Sequence, residues 1–243
     1  YVSNIGNKEE ITNIFQKENP VGVIHFAADK AVNESVSNPM KYYQNNVLNL
    51  INFIDIIEKN KINSFVFSSS CTVYGVPDKI PVKETALIKP AFSPYGYTKQ
   101  IGENILTDFF KTKPNSSLTL LRYFNPIGAH PSGLIGELPI GVPSNLVPYI
   151  TQTGIGKRKK LTVFGKDYDT EDGTCIRDYI HVVDLANAHV ASLKNGLNSS
   201  ECTKIYNVGT GKGASVLDVI TAFEKVSNQK LNYEFGPRRA GDV

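Results

Sequence analysis

Short apolar runs alternate with longer segments of helical periodicity over the first half of the chain. Runs typical of buried strands occupy residues 21–26, 65–69 and 118–123. Between them, apolar residues recur at three- and four-residue intervals, which predicts helices beginning near residue 8 and over 39–59 and 94–110. This alternation predicts parallel βαβ units and therefore an α/β fold.

Two of these helices begin with capping residues. Asn7 precedes the first helix, with Glu10 three residues later, and Ser93 precedes Pro94 at the start of another. The helix over 39–59 carries apolar residues around more than one stripe, so we expect it to be covered on two sides.

The pattern changes near Pro126, where glycine and proline become frequent and the chain becomes loop-rich. Further strands are predicted at 161–164, 179–182 and 205–208, followed by a helix over 216–226. The chain is thus predicted to form one domain over 1–126 and a smaller α/β lobe over 127–243.

A glycine-rich segment, Gly209-Thr210-Gly211-Lys212-Gly213, follows the predicted strand at 205–208. Its Gly-x-Gly-x-Gly spacing differs from the dinucleotide fingerprint, and Gly213 stands where a P-loop has Ser or Thr. We interpret it as a tight turn, with Ser215 capping the next helix, rather than as a phosphate cradle.

Charge and composition limit the classes of partner. The net charge of +3 gives no reason to expect nucleic acid or an acidic membrane surface. The basic run at 157–160 is interpreted as a solvated turn. No apolar run reaches the ~18 residues that span a bilayer, and no signal peptide is visible.

The three cysteines, Cys71, Cys175 and Cys202, are widely spaced and form no metal-binding pattern. We expect a reducing compartment, and hence a cytoplasmic protein without a metal.

Tyr95 and Lys99 are the strongest candidates for chemistry, because four residues on a helix place them on one face. A free tyrosine has a pKa of about 10, and a nearby cation lowers it. Bringing it to about 7 requires about 4 kcal/mol, which one lysine and an oxidised nicotinamide could supply. The alternative is a half-buried tyrosine beside a solvated lysine.

A second group of hydroxyl residues supports the chemical interpretation. The apolar strand at 65–69 leads directly into Ser70 and Thr72. Strands of open α/β sheets deliver such residues to the carboxyl edge, where ligands bind.

With Ser70, Tyr95 and Lys99 in this order, the chain resembles the extended short-chain dehydrogenases/reductases, and among them the UDP-glucose 4-epimerase family. The run at 122–133 is the most specific segment. The resemblance covers nearly the whole chain and rests on residues 25–27, 30–35, 42–47, 121–133, 171–174, 177–182 and 238–242.

The resemblance implies a Rossmann-like doubly wound parallel sheet that binds NAD, and a UDP-sugar-binding lobe. It implies interconversion of UDP-galactose and UDP-glucose by transient oxidation at C4, with hydride return to the opposite face, in galactose metabolism. Tyr95 would be the base that takes the proton of the sugar 4-hydroxyl. Ser70 would hydrogen-bond the same oxygen, and Thr72 is close enough in sequence to assist. Lys99 would hold the ribose and lower the pKa of Tyr95.

The implied contacts fall into two sets, and the resemblance also implies a homodimer through helices around 47–57 and 95–110. The cofactor set is Phe26, Ala27, Lys30, Asn45, Tyr95, Lys99 and Phe124. The UDP-sugar set is Ser70, Tyr95, Asn125, Asn145, Thr162, Val163, Phe164, Arg177, Tyr179, Arg239 and Asp242. Arginines suit a diphosphate, although a surface ion pair with Asp178 is the alternative for Arg177.

The family's first strand and its Gly-x-x-Gly-x-x-Gly turn are expected before Tyr1, and its closing helices after Val243. That turn holds the cofactor pyrophosphate. We therefore expect residues 1–243 alone to be inactive, poorly soluble and unable to retain NAD.

Two other functions on the same fold have different sequence requirements. A nucleotide-sugar 4,6-dehydratase would need an adjacent Asp and Glu where this chain has Cys71 and Thr72. A cofactor-binding sensor without turnover would tend to lose the tyrosine or the lysine, and both are present.

Overall fold

The computed structural model describes residues 1–199 and 203–238. In chain order its strands are β1 (Val23–His25), β2 (Ser64–Ser68), β3 (Ser117–Tyr123), β4 (Asn125–Ile127), β5 (Leu161–Phe164), β6 (Ile176–His181), β7 (Thr203–Val208), β8 (Gly213–Ser215) and β9 (Tyr233–Gly236). The helices are α1 (Lys8–Glu18), α2 (Val32–Ser37), α3 (Pro39–Tyr42), α4 (Asn49–Lys59), α5 (Pro94–Lys111), α6 (Leu146–Gly154), α7 (Val182–Leu197) and α8 (Val216–Ser227). A π-helical turn (Tyr43–Leu48) and a 3-10 helix (Cys71–Tyr74) complete the set.

The chain forms two compact units. The first contains residues 1–123 together with 186–199 and 203–208, and the second contains 124–185 and the described residues from 209. This division differs from the single boundary predicted near Pro126. The chain returns to the first unit because β7 pairs with β3, in a register that aligns Leu118 with Thr203. The strand predicted at 205–208 therefore belongs to the first unit and not to the second lobe.

A parallel sheet of order β1-β2-β3-β7 forms the centre of the first unit. Every residue of β2 is buried, as expected for a strand covered on both faces. The predicted α/β fold with a parallel sheet is thus confirmed.

The helices of the first unit bury apolar faces against this sheet. The capping prediction for α1 is confirmed, since Glu10 N donates to Asn7 Oδ1 at 3.2 Å. The predicted helix over 39–59 is helical throughout but contains the π-helical turn. The core consists mainly of Leu50, Phe53, Ile56, Ile57, Phe65, Phe67, Leu106, Phe110, Leu118 and Leu120.

Helix α5 lies close against β2. A Cβ atom at Gly102 would come within 2.9 Å of the Phe67 ring, so only glycine permits this approach. The cap at the start of α5 is also confirmed, because Gly96 N donates to Ser93 Oγ at 3.2 Å. The close approach and the cap together fix the first turns of α5 next to the end of β2.

The second unit has two small sheets. One has the order β4-β6-β8, and the other pairs β5 with β9. Helices α6 and α8 pack on β5 through Ile150, Ile220 and Leu161. Ser215 caps α8 as predicted, within a capping box that Asp218 completes.

The glycine-rich segment at 209–213 forms a turn, as predicted. Thr210 N and Gly211 N donate to the Asp178 carboxylate, both at 2.8 Å. A carboxylate of the protein itself therefore occupies the position that an anion would take.

Within the described residues, no helix combines the length and apolar character required to cross a bilayer.

Candidate active site

The hydroxyl group of Ser70 is fixed where β2 ends and the 3-10 helix begins. Ser70 is the N-cap of that helix, and Thr72 N donates to its Oγ atom at 3.3 Å. Thr72 Oγ1 donates to the same atom at 3.0 Å. The two hydroxyls thus form a connected pair at the carboxyl edge of the sheet.

Tyr95 and Lys99 lie on the first two turns of α5 and are both buried. The Ser70 hydroxyl lies close enough to the Tyr95 phenol to lower the pKa of that phenol. Lys99 Nζ donates to the Ser68 carbonyl oxygen at 2.7 Å and lies 5.9 Å from the centre of the Tyr95 ring. The structure therefore brings all four predicted catalytic residues together.

The electrostatics of Tyr95 differ from the expectation that Lys99 lowers its pKa. Burial raises the pKa of Tyr95, Tyr123 raises it further, and the Ser70 hydroxyl offsets only part of this increase. Burial also lowers the pKa of Lys99 to about 8, against the charge of Glu103. Both shifts have the same cause, since burial disfavours the charged form of each group.

The predicted cofactor residues lie at the same edge of the first unit. Phe26, Ala27 and Lys30 are exposed in the segment after β1, and the Phe26 ring lies 4.4 Å from that of His189. Asn45 is in the π-helical turn, where Oδ1 accepts from Asn49 Nδ2 at 3.2 Å.

These residues fit a dinucleotide. A lysine ammonium carries three N–H donors, and in the described part of the chain Ser68 O takes one of those of Lys99. The buried Lys99 therefore has donors for ribose hydroxyls beside the strand ends, where nucleotides bind in open α/β sheets.

The predicted UDP-sugar residues fall on several elements of the second unit. Asn125 on β4 is aligned with Tyr179 on β6, and Arg177 lies two residues before Tyr179 on the same face. Asn145 is the residue before α6, and its Nδ2 atom donates to Glu137 Oε1 at 2.8 Å.

The remaining residues of the predicted UDP-sugar and cofactor sets lie on other elements or outside the described residues. Thr162, Val163 and Phe164 lie on β5, in the other sheet. The side chain of Val163 is part of the apolar core, so the predicted contact would be limited to its backbone. Phe124 opens the second unit, and the predicted contacts at Arg239 and Asp242 lie outside the described residues.

Several polar residues next to the site were missed from the sequence. Asn46 is buried in the π-helical turn and binds both the N–H and the carbonyl of Asp29, at 2.8 and 2.9 Å. It also donates to Thr98 Oγ1, beside Lys99. A second group surrounds the ion pair of Glu103 and Arg122. The spacing of Lys99 and Glu103, one turn apart, was the available sequence signal.

The chain matches the NAD dependent epimerase/dehydratase family over residues 1–209, and it belongs to this family. The resemblance inferred from the sequence motifs is thereby confirmed. Among curated proteins, it is 49% identical over 243 residues to the UDP-glucose 4-epimerase of Bacillus subtilis, covering 100% of this chain and 71% of that protein. The corresponding protein of Haemophilus influenzae is 50% identical, with 100% and 72% covered.

Solved structures of proteins from this family are also similar to the chain. The UDP-glucose 4-epimerase of Bifidobacterium longum, in complex with NAD+ and UDP, superposes with a TM-score of 0.94 at 44% identity, covering 100% of this chain and 72% of that one. The enzyme of Brucella ovis in complex with NAD gives 0.93 at 38% identity, covering 100% and 73%.

Proposed function

We propose that this protein is a UDP-glucose 4-epimerase, an NAD-dependent isomerase that interconverts UDP-galactose and UDP-glucose in galactose metabolism. The observation behind it is the cluster of Ser70, Thr72, Tyr95 and Lys99 at the carboxyl edge of a parallel sheet. The relatives that bear this activity in their names are about half identical over the whole chain.

The proton chemistry is assigned to Tyr95. Its phenolate takes the proton of the sugar 4-hydroxyl and returns it after the sugar has turned over. Ser70 Oγ, held by Thr72, hydrogen-bonds the same sugar oxygen and orients C4. When bound, NAD supplies the hydride acceptor and donor, together with a positive charge that favours the phenolate.

Lys99 supplies the fixed charge of the site. With a pKa of about 8 it is largely protonated at neutral pH, so its ammonium has N–H donors for ribose hydroxyls. Phe26, Lys30 and Asn45 are proposed to contact the same cofactor.

The UDP moiety is assigned to the second unit. A guanidinium group binds a diphosphate through paired N–H donors, which suits Arg177 on β6. Asn125 and Tyr179, aligned on the same sheet, are proposed to contact the nucleotide sugar.

Tyr95→Phe tests this proposal. In the full-length protein this change removes the base and leaves the ring in place, so kcat for UDP-galactose should fall by about 10²–10⁴-fold while NAD remains bound. Tyr97→Phe is the matched control, because Tyr97 is half exposed on the same helix and has Ile101 one turn on. Turnover of the Tyr95→Phe holoenzyme within about threefold of wild type would contradict the assignment.

We further propose a homodimer formed through the helices around 47–57 and 95–110. Leu48 and Ile51 are both apolar and both exposed, and their three-residue spacing places them on one helical face. Tyr97 is also exposed, and its ring contacts that of Tyr43. Exposed apolar residues of this kind favour a protein interface. A cytoplasmic location is proposed from the three widely spaced cysteines of the sequence, since so few cysteines at such spacing suit a reducing compartment.

A further inference from the structure

A buried ion pair lies directly behind the proposed active site. Arg122 on β3 holds Glu103 on α5 through two bonds, from Nε to Oε1 at 2.9 Å and from Nη2 to Oε2 at 2.6 Å. Both side chains are less than a tenth exposed. This is the paired geometry in which a guanidinium holds a carboxylate most firmly.

The pair also contacts both ends of the segment that carries Ser70 and Thr72. At one end, Ser69 Oγ donates to Glu103 Oε1 at 2.5 Å. At the other end, Arg122 Nη1 donates to Tyr74 Oη at 3.0 Å, and its guanidinium lies 4.8 Å from the centre of the Tyr74 ring. Tyr74 Oη in turn donates to Asn207 on β7 at 2.6 Å.

The same pair is joined to the helix that carries the other two reacting side chains. Glu103 follows Lys99 by one turn of α5. The ion pair therefore connects β3, α5 and the segment 69–74, and the four proposed catalytic residues lie on two of these three parts.

Stability alone does not explain charged groups at this position. A buried ion pair replaced by well-packed apolar residues often leaves stability unchanged or increases it. Apolar residues would fill the same space but would bind neither Ser69 nor Tyr74. Compared with apolar residues, the charged side chains of Glu103 and Arg122 therefore add hydrogen bonds to the segment 69–74.

We infer that Glu103 and Arg122 are a positioning pair for the reaction: they hold the Ser70 and Thr72 hydroxyls at a fixed distance from Tyr95 and Lys99. This inference rests on the proposed epimerase function and extends it to residues that do not touch the substrate. Displacement of reacting groups by about 1 Å costs up to 10²-fold in rate, so small changes in this pair should be measurable.

Ser69→Ala in the holoenzyme is the mildest test, because it removes one contact and keeps the ion pair. We expect kcat for UDP-galactose to fall about tenfold, with KM within about twofold and NAD content unchanged. Ser64→Ala is the matched control, since Ser64 is equally buried at the opposite end of β2, where its Oγ atom makes a long 3.5 Å contact with Leu193 O. The control should keep wild-type kcat.

The double variant Glu103→Leu/Arg122→Met separates positioning from stability. Positioning predicts a melting temperature at or near that of wild type together with a kcat at least tenfold lower. A kcat for Ser69→Ala within twofold of the Ser64→Ala value overturns the inference, as does a loss expressed in KM alone. Should the double variant fail to fold, the Ser69→Ala comparison still decides. If wild-type holoenzyme does not epimerise UDP-galactose, the proposed function itself is wrong and the inference falls with it.

Discussion

Lys99 carries a charge that its surroundings oppose. It is buried among the Phe67 and Tyr95 rings, 4.9 and 5.9 Å from their centres, with Ser68 O as a hydrogen-bond acceptor. Its pKa is lowered to about 8 by burial, whereas nearby His25, with a pKa of about 4, is neutral at pH 7. A buried charge retained at the expense of stability is typical of functional sites.

The pKa of Lys99 predicts a pH dependence of stability. Its value of about 8 in the folded protein lies below the ordinary 10.5, so between these values the unfolded chain binds more protons. The contribution of Lys99 to the free energy of unfolding is therefore least favourable below pH 8, and it becomes more favourable as the pH rises towards 10.5. Relative to Lys99→Met, the free energy of unfolding of wild type should increase by about 2 kcal/mol between pH 7 and pH 10.

Urea unfolding of both proteins at pH 7, 8.5 and 10, with the cofactor removed, measures this difference. Titration of other groups affects both proteins and cancels in the comparison. A difference that stays constant over this range would show that the pKa of Lys99 is not lowered.

Residues with local signals were predictable, and those joined only by tertiary structure were not. Tyr95 and Lys99 are one helical turn apart, and Ser70 follows an apolar strand, so the sequence indicated all three. Glu103 and Arg122 are 19 positions apart on different elements, and no sequence pattern joins them. The direction of the pKa shift of Tyr95 was also beyond the sequence, since it depends on how deeply the fold buries the ring.

At the scale of elements, capping residues were the most reliable signals. Asn7, Ser93 and Ser215 all accept the predicted backbone hydrogen bonds. The sheet to which a strand belongs was harder to predict, because β7 reads as an ordinary apolar strand. Its partner β3 lies about 85 positions earlier in the chain, and only the assembled sheet reveals the pairing.

The cap of α5 has both a structural and a functional consequence. Ser93→Ala should lower the free energy of unfolding by about 1 kcal/mol, as is usual for N-caps. Because Tyr95 lies in the first turn of the same helix, kcat of the holoenzyme should also fall severalfold. Chemical denaturation and UDP-galactose turnover measure the two effects.

Ser215→Ala provides the comparison, since Ser215 caps α8 in the second unit. It should cost a similar free energy of unfolding and leave a larger share of the wild-type kcat. Equal losses of kcat in the two variants would mean that Ser93 acts through stability alone.

At the scale of the whole molecule, the two units divide the proposed tasks. The described part of the first unit carries the proton-transfer residues, and that of the second carries Arg177 and the other proposed UDP contacts. The first unit also presents the exposed apolar residues of the π-helical turn and α4. Their neighbours on the opposite face, Leu50 and Phe53, are buried in the core. An amphipathic helix in a monomer would present polar residues at the positions of Leu48 and Ile51.

The homodimer proposal predicts that charge at these two positions will separate the subunits. Leu48→Lys/Ile51→Lys places two ammonium groups on each copy of a self-complementary surface, where like charges meet across a two-fold axis. Light scattering at micromolar concentration should give twice the subunit mass for wild-type holoenzyme and the single mass for the variant. Leu134→Lys is the control, because Leu134 is an exposed leucine of the second unit, and it should remain a dimer. The side chains of Leu48 and Ile51 are exposed in the isolated chain, so far-UV circular dichroism should show that the double variant is folded. A wild-type protein with the mass of a single subunit would contradict the proposed interface.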